Sequence, residues 1–370
     1  MNKKTLVLVA LSLSFCAGIY GSEPLAVSWT VASPMHRARA FFAAAELPND
    51  NILVAGGFDL GVTFADSEIY DWHTGSWTVT AFMNDARSAP VAVQLENGRI
   101  LVIGGLDGDG TILNSAEIYD PRTNTWTLTG SMNDARFEDF VAVLLPGRKV
   151  LVAGGSNGSL KSAEIFDEKT GTWSRTNDMN IGRGEFANVK LNDGRVLVMG
   201  GVTQEGMPPT PSAETFDPKT QKWTFTGSMT TPREDHAAVL LRDGRVLVAG
   251  GTTSEESQRI TTAEIFDPKT GNWSLTGSMN VGRSEIEYAA VRWPDGRVLV
   301  PGGHSAPHTE TNTADLFDPE TGSWASAGLM NAARAGHAAI VLRGNRGVLV
   351  MGGLTSHSAA TDSVDIFKLP

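Results

Sequence analysis

The amino-acid sequence predicts an all-β protein, a seven-bladed β-propeller. Paired glycines recur seven times at intervals of about fifty residues, a period typical of propellers and solenoids. Each pair ends a short apolar run, and no segment shows a sustained helical period. The first glycines of the seven pairs are Gly56, Gly104, Gly154, Gly200, Gly250, Gly302 and Gly352.

The repeat that follows Arg233 shows the four strands expected in one blade. Two apolar runs, HAAVLL and RVLVAGG, are joined by Asp243-Gly244, a pair that strongly favours a β-hairpin. The third run, AEIFD, leads into a turn containing Pro268 and Gly271, and the fourth strand contains Trp273. One such sheet cannot bury both of its faces, so we expect the seven sheets to stack around an axis.

The two ends of the chain predict how the ring closes. The last repeat reaches Pro370 before a fourth-strand tryptophan occurs, whereas a separate segment, Trp29-Thr30-Val31, precedes the first repeat. We therefore expect the N-terminal strand containing Trp29 to complete the seventh blade.

Three recurring features resemble those of kelch-repeat proteins. They are the double glycine, a tryptophan at fixed spacing and an aromatic residue in the third strand of each repeat, and they cover the chain from Trp29 to Phe367. The resemblance implies seven four-stranded blades, as in propellers of the galactose oxidase type, with the first strand of each blade along the axis. Folds of this type host enzymes, sugar binders and protein-interaction scaffolds, so the resemblance leaves the function open. The third-strand aromatic residues are Tyr70, Tyr119, Phe166, Phe216, Phe266, Phe317 and Phe367.

Residues 1–21 have the features of a signal peptide. Lys3 and Lys4 precede an apolar stretch too short to span a membrane, and small residues follow it. We expect residues 22–370 to form the propeller and the mature protein to be secreted or periplasmic. Cys16, the sole cysteine, would leave with the leader, and Phe15 before it disfavours a lipid anchor.

The acidic composition narrows the range of partners. The formal net charge is -11, which disfavours binding to nucleic acid or to anionic membranes. No apolar run outside the leader is long enough to cross a bilayer. We expect the protein to be a monomer with no transmembrane segment and no cofactor. We expect its partner to be a protein or a glycan.

Strand direction predicts which end of the propeller binds. The loops after the double glycines vary in length and share one end with the Met-x-x-x-Arg segments, whereas the tight turns share the other end. Binding usually resides on variable loops, such as those after Gly201 and Gly303. We call this end the loop face.

Seven arginines should begin the inner strands near the mouth of the axial channel. Four repeats also carry an acid two residues after the arginine, on the same side of a strand by its two-residue period. One interpretation is a structural ladder of arginine–carboxylate hydrogen bonds between blades; the other is a ligand-binding mouth with an acidic sector opposite an apolar one. The arginines are Arg39, Arg87, Arg136, Arg183, Arg233, Arg283 and Arg334, and the ligand-binding candidates are Arg136, Arg183, Arg233, Arg283, Glu138, Glu185, Asp235 and Glu285. The other three repeats have Phe41, Ala89 and Gly336 at the acid's position.

The residue types argue against copper chemistry. By family resemblance, a galactose oxidase site needs two tyrosines, two histidines and a cysteine-linked tyrosine, but Tyr70 and Tyr119 occupy the structural aromatic position. His304, His308 and His357 lie on adjacent loops and are weak metal candidates. His236 and His337 follow the repeat arginine by three residues and are expected to be buried and structural.

Two functions remain after these exclusions. The preferred one is an exported, non-catalytic module that binds a protein or glycan through its loop face. The alternative is a carbohydrate-active enzyme, an epimerase or lyase acting on an acidic sugar, in which the arginines bind the carboxylate and an acid or a histidine transfers protons. Kelch proteins of bacterial envelopes include an epimerase of sialic acid, so the resemblance accommodates this alternative.

Overall fold

A computed structural model of the chain describes residues 27–137, 140–155, 160–204, 206–253, 259–344, 346–356 and 359–369. These residues form seven four-stranded antiparallel sheets and three two-stranded hairpins, with no α-helix among them. None of the described segments is a helix able to span a membrane. The prediction of an all-β, seven-bladed propeller is confirmed.

The strands of the N-terminal half are short and regularly spaced. In chain order they are β1 (Ser28–Ala32), β2 (Ala43–Glu46), β3 (Ile52–Ala55), β4 (Phe58–Asp59), β5 (Val62–Thr63), β6 (Ser67–Asp71), β7 (Ser76–Val79), β8 (Val91–Gln94), β9 (Ile100–Ile103), β10 (Ala116–Asp120), β11 (Thr125–Leu128), β12 (Val141–Leu145), β13 (Lys149–Ala153), β14 (Ala163–Asp167) and β15 (Thr172–Arg175).

The C-terminal half continues the same pattern. Its strands are β16 (Ala187–Lys190), β17 (Val196–Met199), β18 (Ala213–Asp217), β19 (Lys222–Phe225), β20 (Ala237–Leu240), β21 (Val246–Ala249), β22 (Ala263–Asp267), β23 (Asn272–Leu275), β24 (Val291–Arg292), β25 (Val298–Pro301), β26 (His304–Ala306), β27 (Thr309–Glu310), β28 (Thr313–Asp318), β29 (Ser323–Leu329), β30 (Ala338–Leu342), β31 (Gly347–Met351), β32 (Leu354–Ser356), β33 (Ala359–Ala360) and β34 (Val364–Lys368).

Each blade is one four-stranded meander. From the axis outward the blades are β2-β3-β6-β7, β8-β9-β10-β11, β12-β13-β14-β15, β16-β17-β18-β19, β20-β21-β22-β23, β24-β25-β28-β29 and β30-β31-β34-β1, numbered 1 to 7 below. The inner strands contact one another around the axis. The hairpins β4-β5, β26-β27 and β32-β33 extend the loop face of blades 1, 6 and 7.

The N-terminal strand closes the ring, as the sequence predicts. Strand β1 pairs with β34 in antiparallel register, with Trp29 opposite Phe367. The Trp29 indole donates a 2.6 Å hydrogen bond to the carbonyl oxygen of Ala327 in blade 6. The seventh blade therefore consists of strands from both ends of the described chain, which fastens the ring against opening.

The aromatic residues of the repeat pack between sheets. Phe266 and Trp273, for example, have ring centroids 5.0 Å apart, and the Trp273 indole donates to the Gly227 carbonyl oxygen of the preceding blade. The double glycines make equally close contacts. A side chain at Gly250, where φ is +70°, would lie 2.6 Å from the carbonyl oxygen of Arg283, so only glycine fits.

Candidate functional site

The seven repeat arginines are fully buried and bond within their own blades. In blade 5, Arg233 Nη1 donates to the Gly250 carbonyl oxygen at 2.7 Å, and Nη2 donates to Glu264 Oε1 at 3.1 Å. The same carboxylate accepts the backbone amides of Thr230 and Thr231, so it also fixes the Met-x-x-x-Arg segment. Burial lowers the pKa of Arg233, opposed by the charge and hydrogen bond of Glu264. The third-strand acids that pair in this way are Glu68, Glu117, Glu164, Glu214, Glu264, Asp315 and Asp365.

The structural interpretation, a ladder of arginine–carboxylate hydrogen bonds between blades, is therefore wrong about the bonding partners. Each arginine pairs with the third-strand acid of its own blade. The assumed strand alternation fails at Arg183 and Glu185, since the inner strand begins only at Ala187. Glu185 has a φ of +54°, and this left-handed backbone separates its side chain from that of Arg183. The candidate ligands Arg136, Arg183, Arg233 and Arg283 have no exposed surface.

The residues two positions after the arginines instead form a ring around the axis. Their backbones are left-handed in every blade that the structure describes at this position, with φ of 48° at Phe41 and 51° at Asp235, for example. The Phe41 amide donates to the Gly336 carbonyl oxygen at 2.9 Å, and the Ala89 amide donates to that of Phe41 at 2.8 Å. The unusual backbone is thus part of the blade junctions and does not by itself mark a site.

This ring borders an axial cavity of about 310 Å³. Blades 4, 5 and 6 contribute an acidic arc, and blades 7, 1 and 2 contribute an apolar arc on the other side. The acidic arc consists of Glu185, Asp235, Glu285 and Glu287, and the apolar arc includes Phe41, Ala44, Ala89, Pro90, Ala338 and Ile340. Three of the four acids predicted from the repeat pattern thus meet at one cavity, and Glu138 lies outside the described residues.

Blade 6 adds two residues to the repeat at this cavity. The arginine and the first glycine are separated by 17 positions in blade 5, at Arg233 and Gly250, but by 19 in blade 6, at Arg283 and Gly302. The additional residues, Glu287 and Tyr288, lie in a turn before the shortened strand β24, and both line the cavity. Sequence reasoning missed them as site residues, although the longer spacing was visible.

A buried histidine lies behind one of the cavity acids. His304, at the start of hairpin β26-β27, places Nδ1 3.1 Å from Glu285 Oε1 and Nε2 3.6 Å from Glu310 Oε1. Burial acts to lower the pKa of His304, but the hydrogen bond and charge of Glu285 and the charge of Glu310 outweigh it, so the pKa is raised. The protonated ring would therefore offset part of the negative charge at Glu285.

Four other histidines, those considered in the sequence analysis, do not extend this group. His236 and His337 lie between blades, with Cε1 2.6 Å from where side chains at Gly200 and Gly302 would begin. Burial lowers the pKa of both well below the usual range. His308 is exposed at a hairpin tip, and His357 lies outside the described residues.

The structure gives little support to a metal site. Within the described ranges, no group of three or more His, Cys, Asp or Glu side chains could hold a metal ion. Tyr70 and Tyr119 are buried against Trp77 and Trp126, with ring centroids 5.1 Å apart in both pairs. These residues do not fit the copper site that a galactose oxidase resemblance implies.

The apolar arc continues outward along hairpin β4-β5. Phe41, at the cavity, stacks on Phe58 with ring centroids 5.8 Å apart and an interplanar angle of 16°. Leu60 and Val62, toward the hairpin tip, are 70% and 57% exposed. The Ala360 amide of β33 donates to Asp59 Oδ1 at 2.8 Å and so fixes this hairpin against blade 7.

The blades, the double glycines and the buried arginine–acid pairs together define a kelch-type β-propeller. Residues 52–277 match the Attractin/LZTR1 beta-propeller family model, and residues 186–369 match the KLHDC2/KLHL20/DRC7 Kelch-repeats domain. The chain belongs to the Attractin/LZTR1 β-propeller family and is a kelch-repeat protein. No curated protein sequence shows significant similarity to it.

Solved structures share the fold at low sequence identity. A fungal alcohol oxidase of the AA5 family, in complex with copper, superposes with a TM-score of 0.76 at 19% identity, covering 93% of this chain and 76% of the oxidase. The protein YjhT superposes with a TM-score of 0.62 at 16% identity, covering 80% of this chain and 99% of YjhT. These similarities extend to the fold alone, whereas the kelch propeller domains suggest a protein-interaction module.

Proposed function

We propose that this protein is an exported, non-catalytic module that binds a protein segment at its loop face, with the axial cavity as the anchoring pocket. The observation that carries the proposal is the two-residue addition in blade 6. The arginine and its glycine are 17 or 18 positions apart in six repeats, whereas in blade 6 they are 19 apart and the two added residues, Glu287 and Tyr288, line the cavity. A departure from internal repetition that projects an acid and an aromatic side chain into a cavity is best explained by a ligand.

The contacts of the repeat arginines and the charge of the cavity disfavour an enzyme that acts on an acidic sugar. Such an enzyme needs a cationic group to hold the sugar carboxylate, but the repeat arginines are buried against third-strand acids. The carboxylates Glu185, Asp235 and Glu285 that line the cavity would repel an anionic substrate. A neutral or cationic ligand needs no cationic group for binding and is not repelled by these carboxylates.

Export is part of the proposal because residues 1–21 have the composition of a signal peptide. Expression of the full chain in a secreting bacterial host, followed by mass spectrometry of the protein outside the cytoplasm, tests this part. A mature N-terminus near residue 22 supports it, and intact protein retained in the cytoplasm contradicts it.

Peptide selection tests the binding function. A phage library of random peptides is selected on the immobilised protein, and binders are then measured on Ala44→Phe, which fills the cavity from strand β2, and on Ala325→Phe, the same change on the exposed face of strand β29. We expect peptides whose binding is lost in Ala44→Phe and retained in Ala325→Phe. Binders insensitive to Ala44→Phe, or a glycan array signal with no peptide binder, would reject a peptide-binding cavity.

A further inference from the structure

We propose that the axial cavity accepts an arginine or lysine side chain of the partner, with the cationic end at the acidic arc and the aliphatic stem against the apolar arc. This inference rests on the proposed function and specifies the chemistry of its ligand. It commits to one occupant, a protein segment with a basic residue and a nearby apolar residue.

Charge complementarity is the first argument. Four carboxylates, Glu185, Asp235, Glu285 and Glu287, line one side of the cavity. The arginines closest in sequence to the first three of these acids, Arg183, Arg233 and Arg283, bond to Glu214, Glu264 and Asp315. Four carboxylates on one side of the cavity favour a cationic ligand over an anionic one, and the net charge of -11 acts in the same direction.

The aromatic side chains supply a second, independent argument. Tyr288, next to Glu287 in the chain, lines the cavity and is 48% exposed, and Phe41 lies in the apolar arc. Both line a cavity bordered by carboxylates, and a cation is attracted to the face of an aromatic ring, more strongly where water is excluded. Arginine and lysine also carry a hydrocarbon stem that packs on apolar surface while the charged end seeks polar partners.

The size of the cavity favours one side chain over an extended glycan. Its volume of about 310 Å³ lies at the lower end of the range for small-molecule sites, about 300–1,000 Å³. An oligosaccharide would also face the alanines and Pro90 of the apolar arc, where the cavity offers few polar groups. A single long side chain matches both the volume and the divided lining.

The outer end of the apolar arc explains why the partner should be a peptide segment. Phe58 stacks on Phe41, and the exposed Leu60 and Val62 lie on the same hairpin beyond it. An apolar residue adjacent to the inserted cation would contact this hairpin while the cation occupies the cavity. The ligand thus needs a backbone that joins the two groups.

A neutral isostere provides the matched probe for this inference. One short amidated peptide carries an arginine flanked by glycine and leucine; the control peptide replaces arginine with citrulline, which keeps the shape and removes the charge. Isothermal titration calorimetry with the full propeller should show that the arginine peptide binds at least tenfold more tightly than the citrulline peptide. The affinity for the arginine peptide should fall as the salt concentration rises. A second pair, lysine and acetyl-lysine, should show the same preference.

Two variants locate the charge effect. The double substitution Glu185→Gln and Asp235→Asn should reduce the affinity for the arginine peptide at least tenfold and change that for the citrulline peptide by no more than about twofold. The control variant Asp295→Asn, on the opposite, tight-turn face, should change neither affinity. Equal affinity for arginine and citrulline, with both lost in Ala44→Phe, would overturn the cationic ligand and leave the binding cavity intact. Absence of binding by both peptides would also overturn the inference. Tighter binding of cationic chitosan oligomers than of the arginine peptide would show that the ligand is not a protein segment.

Discussion

His304 Nδ1 lies 3.1 Å from Glu285 Oε1, so a histidine buried beneath the loop face is joined to a carboxylate of the axial cavity. The folded-state pKa of His304 is raised by Glu285 and Glu310 against burial and the charge of Arg259. A raised pKa means that its contribution to stability is complete below the unfolded-state pKa, about 6.5, and is lost as the pH rises through the folded-state pKa.

The first prediction concerns this pH dependence of stability. His304→Gln should destabilise the protein more in mild acid than in alkali, because only the protonated ring attracts both carboxylates. Melting temperatures of the two proteins across this pH range measure the difference. A gap that is constant with pH would show that His304 contributes through packing instead.

A second prediction couples the same histidine to ligand affinity. When His304 loses its proton, Glu285 loses a cationic neighbour and the cavity becomes more negative. The arginine peptide should therefore bind more tightly as the pH rises through the folded-state pKa of His304, and His304→Gln should flatten the profile. Tighter binding at acid pH would contradict the assignment of Glu285 to the ligand site.

A third prediction concerns the two histidines packed between blades. Burial depresses the pKa of His236 and His337, so the unfolded chain takes up protons first, and stability should fall as the pH drops below about 6.5. Phe42 and Phe186 hold the equivalent positions of other blades, so His236→Phe and His337→Phe should fit. Urea unfolding at neutral and acid pH should show that the free energy of unfolding falls less with acid in the variants than in the parental protein. An unchanged fall would show that other groups cause the acid sensitivity.

A fourth prediction separates structural acids from cavity acids. Glu264→Gln removes the charged partner of the buried Arg233 and should lower the free energy of unfolding by about 3–5 kcal/mol. Glu185→Gln changes a half-buried cavity residue and should cost less than about 1 kcal/mol. Urea titrations of both variants measure the contrast. Equal losses would return Glu185 to a structural role.

A fifth prediction concerns ring closure. Removal of residues 22–34 deletes strand β1 and the hydrogen bond from Trp29 to Ala327, so the whole propeller should melt at a lower temperature. Trp29→Ala alone should cost about 3 kcal/mol by emptying an aromatic packing site. A truncated protein with the parental melting temperature would show that β1 is dispensable.

The fold could be predicted because its determinants are local and repeated seven times. Double glycines, Asp-Gly turns and the orphan strand at Trp29 each have a direct structural consequence, and the strand pairing confirms them. Third-strand acids such as Glu264 also recur at a fixed position, two residues before the third-strand aromatic residue. Their pairing with the arginines was not predicted, since Arg233 and Glu264 are 31 positions apart.

The candidate site could be predicted only in part. The acids Glu185, Asp235 and Glu285 were identified by position, but the left-handed backbone that directs them to the axis has no signal in residue type, since Phe41 and Ala89 adopt it as well. Glu287 and Tyr288 were missed because the turn that carries them breaks the repeat. Their contribution became clear only from the cavity they line.

Deletion of Glu287 and Tyr288 tests the central claim most directly. The deletion gives blade 6 the spacing of blade 5, so the propeller should keep its melting temperature within a few degrees while the cavity loses its added acid and aromatic ring. Affinity is measured for peptides selected on the parental protein and for the arginine peptide. We predict at least a tenfold loss for both; a folded variant that binds them with parental affinity would contradict a ligand site in the axial cavity.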